Sequence, residues 1–409
     1  MKFPYKTIRD VDVRDKQILI REGYDMPFNE DGTIADDFRI TASLPTIKYL
    51  IERGAKVVLI AHAGRPKGER NEKYTLAQVA KDLSEKLGQN VKFINDCIGD
   101  VVSVATKKMS AGEVVLLENL RFYPGEEEDD RNFAHDLAKS SHAELFVQDG
   151  FSVVHRAHAS TSAITEFLPS VAGLLLEREY VEIKAAVDDP NRPLTTIMGG
   201  AKISDKIPLV EKFINISDNI IIGGAMANNF LKFDGYNVAD SLVDPDIDDT
   251  VGKILDHARA KFGNDFDDKF RLPVDVAISD DGDWHGTRRE ISLEDLADID
   301  PESKIVDIGE KTIENAVAII ENSGTVIWNG TVGYAENPEF AHGSARIAMA
   351  LATHPQVTSI IGGGDTVDFV RNWDALHGGS FTHVSTGGGA ALELMAGDTL
   401  PGIAALMVR

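Results

Sequence analysis

Short apolar runs recur along this chain, and most are followed by a turn and then by a segment of helical period. KQILIRE at 16–22, KVVLI at 56–60, VKFI at 91–94, EVVLL at 113–117 and LFV at 145–147 form a first series. Between them, Ser43–Arg53 carries Leu44, Ile47, Leu50 and Ile51 at helical spacing and is stopped by Gly54, while Leu76–Leu87 and Phe133–Ser140 read as further helices. Strands that are apolar throughout, and separated by helices, belong to a parallel sheet covered on both faces, because parallel neighbours need long crossovers. The fold class that follows is α/β, built from doubly wound, Rossmann-like parallel sheets. In such sheets ligands bind beyond the carboxyl ends of the strands. The residues at those ends therefore decide what the chain can do.

In the first series the ends carry Arg21, His62, Arg65, Arg121, His155, Arg156 and His158, with Arg39 in the polar connection Gly23–Ile40. Taken singly, each is more often a surface or capping residue. Their repetition matters because the chain as a whole is acidic, with a formal net charge of −24. Cations gathered on an acidic protein point to a specific anion site, and arginine suits carboxylate and phosphate through its planar, paired donors. Leu174–Val187 reads as a long helix, ended by the boundary-like DDPNRP at 188–193. A second series then places glycines at the strand ends: Gly199-Gly200, Gly223-Gly224, Gly330, Gly362–Gly364 and Gly387–Gly389. Glycine lets a ligand approach the backbone closely. In TTIMGGAKISDK at 195–206, a strand runs through a Gly pair into a helix expected over Ile203–Phe213. That would stack Lys202 and Lys206 one turn apart, and helix N-termini favour anions. A polyphosphate would fit there; for this segment alone, an ordinary turn with two solvated lysines is an equal reading.

Several classes are excluded or disfavoured. There is no GxxxxGK[ST] loop, no GxGxxG opening the first helix and no HExxH. Cys97 is the only cysteine, so neither an intrachain disulfide nor a cysteine-rich metal site is available. The charge argues against nucleic-acid partners. No stretch approaches the roughly 18 unbroken apolar residues of a membrane span, and the N-terminus lacks an apolar signal-like core. A reducing, cytoplasmic location is expected, with neither nucleic acid nor membrane as partner. The acidic run Glu126–Asp130 reads as a solvated loop rather than a metal cluster. At 409 residues the chain suggests two or three domains.

DDFRI around Arg39, HAGRPKG from His62, ENLRF ending at Phe122, DGFSVVHRAH from Asp149, GGAKISDKI from Gly199, WNGTVGYAE from Trp328, GGGDT from Gly362 and STGGGA from Ser385 together resemble the phosphoglycerate kinase family over essentially the whole chain. The resemblance implies reversible phosphoryl transfer between 1,3-bisphosphoglycerate with ADP and 3-phosphoglycerate with ATP. It also implies a glycerate-binding domain at 1–173, to which 400–409 returns, an interdomain hinge helix at 174–188, a nucleotide-binding domain at 189–399, and a monomer. By the same resemblance, Arg39, His62, Arg65, Arg121 and Arg156 hold the triose, and Arg39 lies nearest the transferring phosphoryl. Lys202 meets that phosphoryl and Lys206 the nucleotide phosphates. Asp365 is linked to Mg²⁺, with Thr366 beside it, and Glu336 binds the ribose, with Asn329 in the same turn. Gly200, Gly223 and Gly224 line the adenine site. Gly362, Gly363, Gly364 and Gly387 with its neighbours present amides to phosphate oxygens, Gly364 and Gly387 at the point of transfer.

The chain departs from the family's RxDxNxP pattern after the first strand. Arg21-Glu22-Gly23-Tyr24-Asp25-Met26-Pro27 puts Gly23 in place of the Asp and Asp25 in place of the Asn, and Thr331 stands where Pro is common in WNGTVGYAE. Gly23 offers no acceptor for a substrate hydroxyl. Asp25 places a charge where a carboxylate would sit, unless it takes over the hydroxyl contact. Three readings follow: a kinase with an altered glycerate contact, a related acyl-phosphate kinase acting on another small carboxylate, and a nucleotide-binding homologue that has lost catalysis.

Overall fold

The computed structural model describes residues 1–29, 31–279, 284 and 286–407. The chain divides into two compact units, one of Met1–Val181 with the segment from Asp398 onward, the other of Glu182–Gly397. The division falls inside the helix Leu174–Asp188 rather than at either end of it.

In the first unit, β1 (Gln17–Arg21), β2 (Lys56–Ile60), β3 (Val91–Ile94), β4 (Val114–Leu117), β5 (Leu145–Gln148) and β6 (Ser170–Ala172) form one sheet in the order β3-β4-β2-β1-β5-β6. Every neighbouring pair is parallel. The helices are α1 (Phe38–Ile51), α2 (Ala77–Leu87), α3 (Gly99–Lys107), α4 (Arg131–Ser141) and α5 (Leu174–Asp188). Alternate strand residues point to opposite faces, so the sheet carries two cores. Ile18, Ile20, Val57 and Leu59 pack with Ile47 and Leu50 of α1 and Val79 and Leu83 of α2. Leu19, Val58, Ile60 and Phe146 pack with Val102 of α3 and Phe133 and Leu137 of α4. The segment after Asp398 is tied in by the Gly402 N–H, which donates to the Val154 carbonyl at 2.8 Å.

Two expectations for this unit change. Helix α1 begins at Phe38, not near Ser43, because Asp36 Oδ1 accepts from the Phe38 N–H at 2.9 Å and starts the turn early. Arg39 therefore sits on the first turn of a helix rather than in the connection. The acidic run is a solvated loop only in part, with Glu127 and Glu128 exposed. Glu126 is fully buried, Asp130 caps α4 through the Phe133 N–H at 2.7 Å, and Asp129 accepts from the Ala163 N–H at 3.0 Å.

In the second unit, β7 (Leu194–Met198), β8 (Asn219–Ile222) and β9 (Phe270–Arg271) run outward from one side of a second sheet. β10 (Asp275–Ser279), β11 (Arg288–Ser292) and β12 (Lys304–Ile308) make a separate antiparallel sheet in the order β11-β10-β12, which the sequence reading did not anticipate. β13 (Thr325–Asn329), β14 (Thr358–Gly362) and β15 (His383–Val384) complete the parallel sheet in the order β15-β14-β13-β7-β8-β9. Its helices are α6 (Ile207–Ile216), α7 (Gly224–Phe233), α8 (Asp248–Phe262), α9 (Phe266–Lys269), α10 (Glu310–Glu321), α11 (His342–Thr353), α12 (Gly364–Trp373) and α13 (Gly389–Ala396). The strand order reverses between β7 and β13, which opens a crevice at their carboxyl ends. Among the described residues, no helix is long and apolar enough to cross a membrane.

Candidate functional site

In the first unit, the ends of β1, β2, β4 and β5 bring Arg21, His62, Arg121 and the Asp149–His158 turn to one edge. Arg21 is fully buried. Its Nε donates to Ser160 Oγ at 2.7 Å, Nη1 donates to the Glu22 carbonyl, and Nη2 lies 3.0 Å from His62 Nδ1. Glu126, 3.6 Å from Arg21 Nη2, supplies the counter-charge and is itself held by Ser160 through its N–H at 3.1 Å and its hydroxyl at 2.6 Å. Burial pulls the Arg21 guanidinium down to about 10, against the attraction of Glu126, so it stays charged at neutral pH. Arg121, also buried, donates through Nη1 to the Gly64 carbonyl at 2.8 Å, and its Nε lies 3.1 Å from Glu127 Oε1. Arg39 Nη1 donates to the Asp25 carbonyl. Arg65 and Arg156 are exposed, and Arg156 Nε lies 3.1 Å from His155 Nε2.

The histidines do not add positive charge. Burial, reinforced by neighbouring arginines, pushes His62 and His158 down to about 3 and His155 to about 4. Each is a neutral donor and acceptor at physiological pH. Burial raises the Asp25 carboxyl, but its hydrogen bond with His62, the Gly64 N–H and the Arg39 charge outweigh that and keep it below the usual range. Asp25 Oδ1 accepts from the Gly64 N–H at 2.8 Å, and Oδ2 lies 3.6 Å from His62 Nε2. The site is thus an arginine cluster with two partly exposed carboxylates, Asp25 and Glu127, fixed from beneath by Ser160 and Glu126. The sequence reading assigned neither Ser160 nor Glu126 to it. Arg21, a cation closing an apolar strand and so in need of a counter-charge, was the available signal.

In the second unit, the crevice is made by backbones lying against one another. The Gly199 N–H donates to Asn329 O at 3.0 Å, Gly200 to Thr331 O at 2.8 Å, Gly223 to Met198 O at 2.8 Å and Gly224 to Val332 O at 2.8 Å. A Cβ at Gly224 would come 2.6 Å from the Thr331 carbonyl, and one at Gly223 would come 2.7 Å from Val332 Cβ, so a side chain at either would force the turns apart. These amides are consumed within the fold. What the glycines provide is room. The cleft beside them has a volume of about 640 Å³ including solvent at its mouth, with Leu242, Val276, Ile305 and Trp284 among its apolar walls and Glu336 and Asp365 also lining it.

Lys206 is held at the switch point, donating to Gly199 O at 2.9 Å and Asn329 O at 3.3 Å. Burial lowers its ammonium to about 8, partly opposed by Asp365 and Asp205. Lys202 is exposed and lies before the helix. The expected stacking of the two lysines is not found, because Ser204–Lys206 forms a 3₁₀ turn and α6 starts only at Ile207, with Pro208 in its first turn. Asn329 is fully buried, and its amide nitrogen and oxygen have no hydrogen-bond partner among the described residues. Gly363 (φ +87°) caps α12; Gly364 and Asp365 in its first turn are exposed, and open space surrounds the Cβ position of Gly364. Gly362 ends β14 under Asn329, while Thr366 is buried with Oγ1 accepting from the Gly330 N–H at 2.7 Å, so its hydroxyl braces the turn. The Gly387 N–H donates to Ser385 Oγ at 3.0 Å.

An arginine-lined edge on one doubly wound unit and a glycine-walled cleft on another belong to an α/β enzyme, and the relatives of this chain make the class an ATP-dependent kinase. A family model described as phosphoglycerate kinase matches residues 8–398. The phosphoglycerate kinase of Borrelia duttonii is 43% identical over 404 residues, covering 98% of this chain and 99% of that protein. That of Coprothermobacter proteolyticus is 40% identical over 404 residues, covering 99% of each. Among solved structures, phosphoglycerate kinase from Coxiella burnetii matches with a TM-score of 0.84 at 33% identity, covering 98% of this chain and 99% of that one. The enzyme from Pyrococcus horikoshii gives 0.81 at 32%, covering 98% of each. The chain belongs to the phosphoglycerate kinase family, glycolytic transferases that pass phosphate between ATP and a carboxyl group.

Proposed function

We propose that this enzyme transfers the phosphoryl group between 3-phosphoglycerate and ATP, reversibly, through the residues its two strand-end sites present. The observation that carries the reading is the glycine-walled cleft with Lys206 pinned at its head and Asp365 exposed beside it. In the ATP-consuming direction the nucleophile is the substrate's own carboxylate, ionised at neutral pH, so no general base is needed. The protein's task is alignment and stabilisation of charge on the transferring group. Arg39, His62, Arg65, Arg121 and Arg156 hold the triose, with Asp25 orienting His62 and the Gly64 turn. Lys206, Asn329 and the Gly362–Gly364 and Gly387 turns receive the nucleotide phosphates, and Thr366 fixes that surface. Gly200, Gly223 and Gly224 bound the adenine pocket, and Glu336 takes the ribose. Arg39 of the first unit and Lys202 of the second supply positive charge to the transferring phosphoryl.

Mg²⁺ fits this donor set. Asp365 is a lone exposed carboxylate in the first turn of α12, and among the described residues no group of three acidic, histidine or cysteine side chains could hold a metal by itself. Asp365 would hold a hard cation here through one carboxylate, leaving the remaining positions to oxygen ligands from outside the protein, and the cation would supply neutralisation of phosphate charge. We also infer a monomer in the cytoplasm. The buried, unpaired Cys97 suits a reducing compartment, and light scattering tests the mass. The deciding experiment is a coupled assay with 3-phosphoglycerate and Mg-ATP. Turnover supports the reading. ATP binding with no turnover, or turnover only with another small carboxylate, overturns it.

A further inference from the structure

Gly23 occupies the position where the family's pattern has a carboxylate, yet its backbone does not require glycine. It lies just beyond β1, is buried, and does not have a left-handed φ. A Cβ built on it would meet Ser152 Oγ at 2.5 Å, and nothing else within 3.7 Å. The one obstacle to a side chain at 23 is therefore a single hydroxyl. Ser152 stands in the 3₁₀ turn Phe151–Val153 directly after β5, and β5 pairs with β1. That turn is fixed against the end of β1, because the Asp149 and Gly150 N–H groups both donate to the Arg21 carbonyl, at 3.0 and 2.8 Å. Ser152 is half-buried, so its hydroxyl is partly open to what binds at this edge.

Asp25 is the other candidate for the missing contact, and its geometry assigns it a different task. One of its oxygens accepts from the Gly64 N–H and the other faces His62, so the carboxylate is committed to the turn after β2. We propose that the Ser152 hydroxyl makes the contact to the substrate's free hydroxyl that a side chain at position 23 would otherwise make, and is a specificity-determining residue of the triose site. The assignment rests on the phosphoglycerate kinase reading above. The charge balance of the segment is consistent with it. An Asp at 23 with an Asn at 25 carries one negative charge, and Gly23 with Asp25 also carries one, displaced by two residues. The surrounding arginines meet the same net charge, and the hydroxyl contact passes to a neutral group that can both donate and accept.

The test is steady-state kinetics on wild type, Ser152→Ala, Gly23→Ala, Gly23→Asp and Gly23→Asp/Ser152→Gly. The substrates are 3-phosphoglycerate and its 2-deoxy analogue, 3-phosphonooxypropanoate. Ser152→Ala is expected to raise KM for 3-phosphoglycerate roughly three- to tenfold, the worth of one neutral hydrogen bond. KM for ATP should stay unchanged, and the preference for 3-phosphoglycerate over the deoxy analogue should shrink by the same factor. Gly23→Ala should do likewise, because its methyl forces the hydroxyl aside. Gly23→Asp alone should be worse, and the double variant should return KM to near the wild-type value. A merely structural role for Ser152 would weaken both substrates equally. That result, or an unchanged KM in Ser152→Ala, overturns the assignment while leaving the kinase reading standing. A wild type with no turnover on 3-phosphoglycerate overturns the kinase reading, and this assignment with it.

Discussion

Replacing Glu22 by glutamine should make the first unit more stable, by an amount that grows with pH. Glu22 follows β1, is fully buried, and neither of its carboxyl oxygens has a hydrogen-bond partner among the described residues. Burial, then the charge of Asp149, raises its pKa well above 4.5, with Arg21 opposing. The unfolded chain releases this proton near its ordinary value while the folded chain keeps it. The stability Glu22 contributes is therefore fully present below the unfolded pKa and is lost as pH rises toward the folded one. Each pH unit between the unfolded and the folded value costs about 1.4 kcal/mol, so the wild type should lose stability at that rate relative to Glu22→Gln, which cannot titrate, as pH rises above the ordinary carboxyl range. Asp149, itself pushed up to about 7 by burial against its bonds from Thr46, Leu176 and Leu175, titrates in both proteins and enters the difference only through its repulsion of Glu22. The assay must see the right unit. Trp284, Trp328 and Trp373 all lie in Glu182–Gly397, so tryptophan fluorescence follows the other one. Hydrogen exchange of peptides from β1 and β5, at several pH values in urea, reports the first unit directly. A difference between the two proteins that does not change with pH, or that shrinks as pH rises, refutes the argument.

Other consequences are simpler to state. With Lys206 lowered to about 8 by burial, nucleotide phosphates should restore its proton, and calorimetry at pH 8 in buffers of different ionisation enthalpy should show an uptake of about half a proton per ATP. Uptake that is unchanged in Lys206→Met would remove Lys206 as its source. Lys202→Ala should lower kcat at least a hundredfold while changing the ATP dissociation constant little, in keeping with an exposed lysine that acts only on the transferring group; equal losses in both would show that the two lysines are not divided in this way. Ser160→Ala should cost about 1–3 kcal/mol in urea unfolding, because it leaves buried Arg21 and Glu126 short of a shared partner.

The parallel strands were legible because a strand buried on both faces has an unbroken apolar centre, as ILI in QILIR and VIW in TVIWN show. The antiparallel sheet was not, because its edge strand RREIS is largely exposed and its charges carry no apolar period. Site residues were legible by type and by their place after strands. What periodicity could not show was their state. His62 and His158 looked like cations and are neutral, because burial is a tertiary property. Glu126 looked like part of a solvated run and is the buried counter-ion of Arg21. The lysine pair looked helical because four-residue spacing suggests a turn, and Pro208 two residues beyond Lys206 was the overlooked sign that the helix had yet to start.

The two units answer the same chemical demand by different means, and composition explains why one chain can use both. A chain with a formal charge of −24 cannot attract an anion by its overall field, but screening confines that field to roughly 8 Å at physiological salt, so local arrangement decides. The first unit sets arginines against a hydroxyl, a carbonyl and a buried carboxylate, which fixes their direction within the fold. The second removes side chains altogether, so that turns touch at Gly199, Gly224 and Gly330 and a single lysine is clamped beneath them. Rigid cations suit a small carboxylate that must be aimed. Bare backbone suits a polyphosphate whose many oxygens need close approach more than net charge. The same logic places the chain's tolerance for change. A position such as Gly23, whose only constraint is a neighbouring hydroxyl, can exchange its contact with Ser152, whereas Gly224, hemmed in by the Thr331 carbonyl and the Gly200 backbone, cannot change without reshaping the cleft.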